Sequence, residues 1–286
     1  MISIGVIGNG FVGNAVANGF SPFVDGVKIY DTDPKRRTHG LMSTINSDFV
    51  FVCLPTPMVD AEGGECNLSI IEGFFDMLEK DDLVGSNPIF IIKSTVPIGT
   101  TRKLQEKHSW LNIIHNPEFL TAINAEEDFL NADRTVLGGS CEQSLSKTKE
   151  LYSEFFPDVP IYTMTSDESE SVKYFANCFL ATKVMFFNEM KVLTESLGVD
   201  FDKIGEAVTA DTRIADSHWK VPGPDGDYGF GGTCFPKDTN ALIDTMEKNG
   251  MNPLVLKAVW EQNKNFRKNW DWKDNTSAVL SSENKI

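Results

Sequence analysis

Residues 8–13 read Gly8-Asn9-Gly10-Phe11-Val12-Gly13, a G-x-G-x-x-G run between the β-branched stretch ISIGVIG and the helix-like stretch NAVANGF. No other feature of the chain narrows its fold as much. A strand that passes into a helix over such glycines makes a tight turn, lets a pyrophosphate approach the backbone, and offers it the positive end of the helix. Asp31 closes the next apolar run, VKIYD, 18 residues after Gly13. A carboxylate there can accept from both hydroxyls of a ribose, which favours NAD over NADP because a 2′-phosphate would meet like charge. Arg36 and Arg37 keep a 2′-phosphate open. Gly8, Gly10, Phe11, Val12, Gly13 and Asp31 are therefore the candidate cofactor-binding residues.

Further short apolar runs follow at DFVFVCLP, PIFIIKS, LNIIHNP and RTVLGG, with intervals long enough for crossovers. The alternation predicts an α/β domain of the Rossmann type, a doubly wound parallel sheet with helices on both faces, over residues 1–165. The pattern then changes. Residues 166–198 start with acidic and hydroxyl residues, end in glycine and contain no internal proline or glycine, which predicts one long helix. Its middle, FLATKVMFF, is apolar nearly all the way round, so it should be buried on several sides or pack against a second copy of itself. A short helix at FDKIGEAVT, the Gly/Pro-rich loop VPGPDGDYGFGG, a helix from about Lys237 and a last one at PLVLKAVWEQNKNFRKNW complete an all-helical second domain over 166–286, with a frayed tail at DNTSAVLSSENKI.

The formal charge of −15 disfavours polyanionic partners, so no nucleic-acid role is expected. The start MISIGVIGNG lacks the pattern of a secretory leader, and no stretch approaches a membrane span; a cytoplasmic protein that does not enter a membrane is expected. The five cysteines, at 53, 66, 141, 178 and 234, form no C-x-x-C pair, so neither a disulfide framework nor a metal site is expected.

Lys173 and Asn177 lie four apart and project from one face of the long helix, either as a satisfied structural pair or as reactive groups. Lys183 and Lys191 are expected on solvated faces. In GFGGTCFPKDTNAL, residues 229–242, Cys234 follows a glycine run, with Pro236, Lys237 and Asp238 next. A thiol at a helix start, beside a lysine and with a carboxylate one turn on, is a nucleophile candidate. Cys53, Cys66, Cys141 and Cys178 have no such surroundings and are expected to be inert buried thiols.

These residues resemble those of the nucleotide-sugar 6-dehydrogenases, the UDP-glucose/GDP-mannose dehydrogenase family. GVIGNGFVG, KSTVPIGTT, HNPEFL, DFLNADRTVLGG, SVKYFANCFLATKVMFFNE, DTRIADSHWKVPGPDG and GFGGTCFPKDTNAL occur in the family's order and cover nearly the whole chain. The resemblance implies an NAD-dependent, four-electron oxidation of UDP-glucose to UDP-glucuronate. Cys234 would hold the intermediate as a thiohemiacetal and then a thioester. Lys173 and Asn177 would stabilise the oxyanion and contact the sugar C6 oxygen; Asp238 and Thr95 would position water, and Glu118 would act as acid or base. Phe119, Leu120, Phe230, Gly231 and Gly232 would line the sugar pocket, with Arg213 reaching across a dimer interface. Thr56 and Thr95 would touch the cofactor, the active site would lie between the domains, and the long helix would form a homodimer.

The chain departs from the family pattern in two places. PEFLTAIN puts Ala122 where a second glutamate is usual, and the family's UDP-binding third domain has no counterpart in these 286 residues. Two other readings stay open: a β-hydroxyacid-type dehydrogenase making one hydride transfer without a thiol, and a non-catalytic NAD-binding or dimerisation module.

Overall fold

The structure is a computed structural model that describes residues 2–80, 83–85, 87–121 and 123–279. The chain divides into two compact units, Met1–Thr56 with Leu68–Lys173, and Pro57–Asn67 with Tyr174–Ile286. The division thus falls inside a helix, and the loop at 57–67 belongs to the second unit.

Seven strands make one sheet in the first unit: β1 (Ile4–Ile7), β2 (Val27–Tyr30), β3 (Phe49–Val52), β4 (Ile89–Ile92), β5 (Asn112–His115), β6 (Thr135–Gly138) and β7 (Ile161–Met164), in the order β2-β1-β3-β4-β5-β6-β7. Strands β1, β3, β4 and β6 are buried along their whole length, which is why they read as continuous apolar runs. Alternate side chains feed two cores. Ile4, Val6, Phe51, Ile89, Ile91 and Leu137 join one; Ile7, Val50, Val52, Phe90 and Ile92 join the other. Helices α1 (Phe11–Phe20), α5 (Ala125–Leu130) and α6 (Glu142–Phe155) cover the first face, through Ala15, Val16, Phe20, Phe129, Leu151 and Tyr152. Helices α2 (Leu41–Ile45), α3 (Ser69–Lys80) and α4 (Thr100–Lys107) cover the second, through Ile45, Ile71, Phe75, Leu78 and Leu104.

The expected doubly wound architecture is present, with one departure: β5 meets β6 antiparallel, at His115 opposite Gly138, and β6 and β7 run parallel to each other. Two parallel blocks are therefore joined edge to edge. Edge strand β7, IYTM, has an exposed middle and too little apolar character to stand out in the sequence.

Helix α7 (Ser166–Leu197) is the expected long helix. Thr165 and Glu168 build a capping box at its start: the Glu168 carboxylate accepts from the Thr165 amide and hydroxyl, each at 2.8 Å, and the Glu168 amide donates to Thr165 Oγ1 at 3.3 Å. Gly198, at φ +67°, ends it, and the Val199 amide returns to the Thr194 carbonyl at 3.0 Å.

The second unit continues with α8 (Phe201–Thr209), α9 (Cys234–Lys248) and α10 (Leu254–Phe266). Helix α9 starts at Cys234, with Pro236 in its first turn, so the thiol stands at the helix start, as read from the motif, rather than ahead of a helix from about Lys237. The described part of the tail, to residue 279, differs from expectation as well, and residues 280–286 of that stretch lie outside the described residues. Asp271–Asp274 form a 3-10 turn, Trp272 and Ala278 are fully buried, and the Met58 amide donates to the Ala278 carbonyl at 2.7 Å. Stacked Trp270 and Trp272 and a core of Met58, Ala181, Met185, Phe230 and Trp260 supply apolar burial that a frayed end would forgo.

Candidate active site

The candidate residues form one group at the glycine-rich turn and a further cluster in each unit. At the end of β1, Gly8 has φ +89°, and a side chain on Gly13 would meet the Gly8 carbonyl at 1.9 Å, so both must be glycine. A side chain on Gly10 would meet nothing within 4 Å. Gly10 is also the N-cap of α1, which has no side-chain cap and no acid in its first turn. The first turn of α1 thus has no side-chain acceptor, and it follows β1 at the sheet's switch point between β1 and β3, where strand order reverses. Asp31 closes on the same turn: its carboxylate accepts from the Asn9 amide at 2.7 Å and the Asp33 amide at 2.8 Å. Acceptor capacity remains on both oxygens. This is a cradle into which a dinucleotide fits, with Phe11 and Val12 opening the helix. Arg36 is turned to Asp33, at 3.7 Å.

Deeper in the first unit, Lys173 and Glu118 meet. Both are buried, and the Lys173 ammonium donates to Glu118 Oε1 at 2.9 Å and to the Glu118 carbonyl at 2.6 Å. The Leu120 amide fixes the other carboxylate oxygen at 2.7 Å. Two cations approach Phe119, Lys173 Nζ at 5.4 Å and the Arg134 guanidinium at 3.9 Å from its ring centroid. Thr56 and Thr95 are buried together, the Thr56 hydroxyl donating to the Thr95 carbonyl at 2.7 Å. Ala122 lies outside the described residues.

The sequence did not mark two further groups here. Lys93 is buried and donates to Asn116 Oδ1 at 3.0 Å. Burial pushes its ammonium down to about 8, outweighing the upward pull of Cys53 and Glu118. Glu170, also buried, accepts from the Gly99 and Thr101 amides at 2.5 and 2.7 Å at the start of α4; burial nonetheless pushes its carboxyl up to about 7.

In the second unit Asn177 and Asp238 meet: the Asn177 amide group donates to Asp238 Oδ2 at 2.6 Å. Asp238 is fully buried, and its other oxygen accepts from Lys237 at 2.5 Å. Burial alone would lower the Lys237 ammonium, but the Asp238 carboxylate outweighs it and the group is raised, with the Cys66 and Cys234 sulfurs adding to the effect. Lys237, the lysine that follows the thiol in the sequence, is therefore a buried member of the cluster, bonded to the carboxylate.

Cys234, half-buried, is the first residue of α9, one turn before Asp238. The glycine run ahead of it is clasped. Asn188 Oδ1 accepts from the Gly229 amide at 2.9 Å, Asn263 Oδ1 from the Phe230 amide at 2.7 Å, and Asp271 Oδ2 from the Gly232 amide at 3.0 Å. The Phe230 and Gly232 donors are thus engaged within the unit. Arg213 stands apart, 87% exposed along its side chain and gripped by Asp211 at 2.6 Å.

Two expectations need correction. Lys183 is buried rather than solvated, its ammonium held by the Ile214 and Ala215 carbonyls at 2.8 and 2.9 Å. Those carbonyls belong to the loop of Arg213, whose unusual backbone, with Ala215 at φ +65°, exposes them to one cation. Cys141 is half-buried at the N-cap of α6, where hydrogen bonding from the Ser144 side chain and amide lowers its thiol, so it is not an inert core thiol. Burial raises Cys53, to about 12, and Cys178, as expected of inert thiols. Among the described residues no group of three or more His, Cys, Asp or Glu could hold a metal ion, and no helix is long and apolar enough to cross a membrane.

Comparison with known proteins bears on both units. The family profile described as "UDP-glucose/GDP-mannose dehydrogenase family, NAD binding domain" matches residues 35–156, and that of the same family's central domain matches 167–265. UDP-glucose 6-dehydrogenase TuaD of Bacillus subtilis is 31% identical over 239 residues, covering 80% of this chain and 49% of the relative. The UDP-glucose 6-dehydrogenase of Rickettsia prowazekii is 35% identical over 224 residues, covering 77% and 50%. The chain thus spans about half the length of these relatives. The solved UDP-glucose dehydrogenase of Pyrobaculum islandicum superposes with a TM-score of 0.81 at 30% identity, over 93% of this chain and 68% of that one. A 3-hydroxyisobutyrate dehydrogenase of Mycobacterium tuberculosis, at 18% identity and a TM-score of 0.71, shares the fold alone.

Proposed function

The chain belongs to the UDP-glucose/GDP-mannose dehydrogenase family, and on that premise we propose that it oxidises the C6 alcohol of UDP-glucose to the carboxylate of UDP-glucuronate in two steps through Cys234. Residues 1–165 bind the cofactor; residues 166–286 carry the thiol and the dimer surface. Gly8, Gly10, Gly13 and Asp31 would hold NAD, which would supply the hydride acceptor for both oxidations.

The chain's own groups divide the remaining work. Lys173, fixed by two bonds to Glu118, presents an ammonium to the oxygen that gains charge as the alcohol loses its proton. Glu118 takes that proton. The Cys234 sulfur adds to the aldehyde carbon and its thiol proton is released, giving a thiohemiacetal whose oxyanion Asn177 and Lys173 stabilise. Loss of a second hydride leaves a thioester. Water, oriented by Asp238 and Thr95, then breaks the C–S bond, releasing the acid and restoring the thiol. Two NAD and one water are consumed, and the aldehyde is never free. Phe119, Leu120, Phe230, Gly231 and Gly232 line the sugar site, and Thr56 borders the cofactor.

A homodimer through α7 fits its surface. Phe175, Phe179, Phe186, Leu193 and Leu197 fall four, seven, seven and four apart, on one helical face, and are between 48% and 68% exposed. Arg213, held out from the second unit, is available to a partner copy's sugar. Action in the cytoplasm accords with five free cysteines.

The observation that carries the reading is the 2.6 Å bond from Asn177 to Asp238, which stands one helical turn after Cys234 on α9. Cys234→Ala tests it. The variant is expected to bind NAD as the parent does and to form no UDP-glucuronate; acid formation at the parental rate would defeat the proposal.

A further inference from the structure

Two residues before Cys234 the backbone turns through Gly231 and Gly232, and a charged pair from the segment after α10 closes on that turn. Asp271 Oδ2 accepts from the Gly232 amide at 3.0 Å, and its Oδ1 accepts from Arg267 Nη2, also at 3.0 Å. Arg267 is nearly inaccessible, with 2% of its side chain exposed. It also donates to Asp225 Oδ2 at 2.5 Å, to the Asn269 carbonyl at 2.8 Å and to the Tyr228 carbonyl at 3.4 Å. A buried guanidinium with this many fixed acceptors is a rigid support. The fit around it is close. A side chain on Gly231 would stand 2.1 Å from Arg267 Nη2 and 2.3 Å from Asp271 Oδ1, so the turn packs directly on the pair. Gly232 itself sits at φ +71°, a left-handed backbone that glycine adopts without strain, so the Asp271 bond and not local sterics holds its amide in place. Both charged residues lie past residue 265, where the family profile's match ends.

We propose that Asp271 is a positioning residue for Cys234: with Arg267 it locks the Gly231–Gly232 turn and so fixes where the thiol at the start of α9 stands. The inference rests on the reading of Cys234 as the nucleophile. Asp271 acts through the Gly232 amide and Arg267, not by touching substrate.

Iodoacetamide labelling of the folded chain, read residue by residue by mass spectrometry, tests this for the parent, Asp271→Ala and Asp271→Asn. Opening the turn locally is expected to speed Cys234 labelling about fivefold or more in the alanine variant and about threefold in the asparagine variant, where an NH2 donor replaces one of the two acceptor oxygens that serve Gly232 and Arg267. Cys178, 3% exposed, should stay protected, which separates a loosened turn from an unfolded unit. Formation of UDP-glucuronate should fall in parallel, through kcat more than through the KM for NAD. Cys234 rates within about twofold of the parent in a variant that protects Cys178 would overturn the proposal. So would joint labelling of Cys178 and Cys234 in both variants, since Asp271 would then hold the whole unit rather than the turn. A parent that makes no UDP-glucuronate would defeat the proposed function and leave the labelling comparison to decide this inference alone.

Discussion

Asn177 of α7 and Asp238 of α9 are 61 residues apart in the chain and are joined by a 2.6 Å hydrogen bond with both side chains buried. Asp238 thereby serves two partners, the neutral amide of Asn177 and the ammonium of Lys237. Such an arrangement orients a carboxylate firmly, because each oxygen has a fixed donor. It also makes the carboxylate hard to remove.

Asp238→Ala is expected to destabilise the second unit by about 3–5 kcal/mol, since the buried Lys237 ammonium is left without its counter-charge. Pairing Lys237→Met with Asp238→Asn removes that charge and should recover about half of the loss. Urea unfolding of the three chains checks both expectations.

His115 predicts how the first unit responds to acid. Burial, then the charges of Lys93 and Lys173, hold its imidazole down at about 3 against an ordinary 6.5. The unfolded chain therefore binds the extra proton first, so this contribution to stability is complete above about pH 6.5 and is lost as pH falls toward 3. Relative to His115→Asn, the parent should lose up to about 1.4 kcal/mol per pH unit within that window. The comparison separates His115 from Glu170, whose raised carboxyl acts with the opposite sign, losing stability as pH rises from 4.5 toward about 7. Urea midpoints of the two chains at a series of pH values give the result.

The cofactor cradle makes a binding prediction that is independent of turnover. Asp31→Ala removes the acceptor assigned to the ribose and should weaken NAD binding by about 1.5–3 kcal/mol, while narrowing the preference over NADP. Calorimetric titration of both dinucleotides would contradict this if neither affinity changed.

Much of the fold was legible because its signals are local. Periodicity and length exposed the strands that are buried throughout, and Thr165, Glu168 and Gly198 mark both ends of α7. The same holds for Lys173 and Asn177, whose spacing on a helix fixes a common face. Their partners were less accessible. Nothing near Glu118 in the chain says that its carboxylate meets Lys173, 55 residues away. Lys183 looked like an ordinary surface lysine and Lys93 carried no mark at all, because the carbonyls and amide that hold them are assembled by tertiary contacts. The clasp on the glycine run was hidden for the same reason: Asn188, Asn263 and Asp271 come from three separate segments. A tail rich in polar residues gave no hint of burial until Trp272, Ala278 and Val279 met Met58.

The central claim, that one sulfur carries the sugar through both oxidations, is tested most directly by mixing the purified chain with UDP-glucose and NAD and counting NADH against UDP-glucuronate. Two NADH per acid, with no free aldehyde captured by a carbonyl trap, is the predicted result. One NADH per turnover with an aldehyde product, or no NADH at all while NAD remains bound, would contradict it.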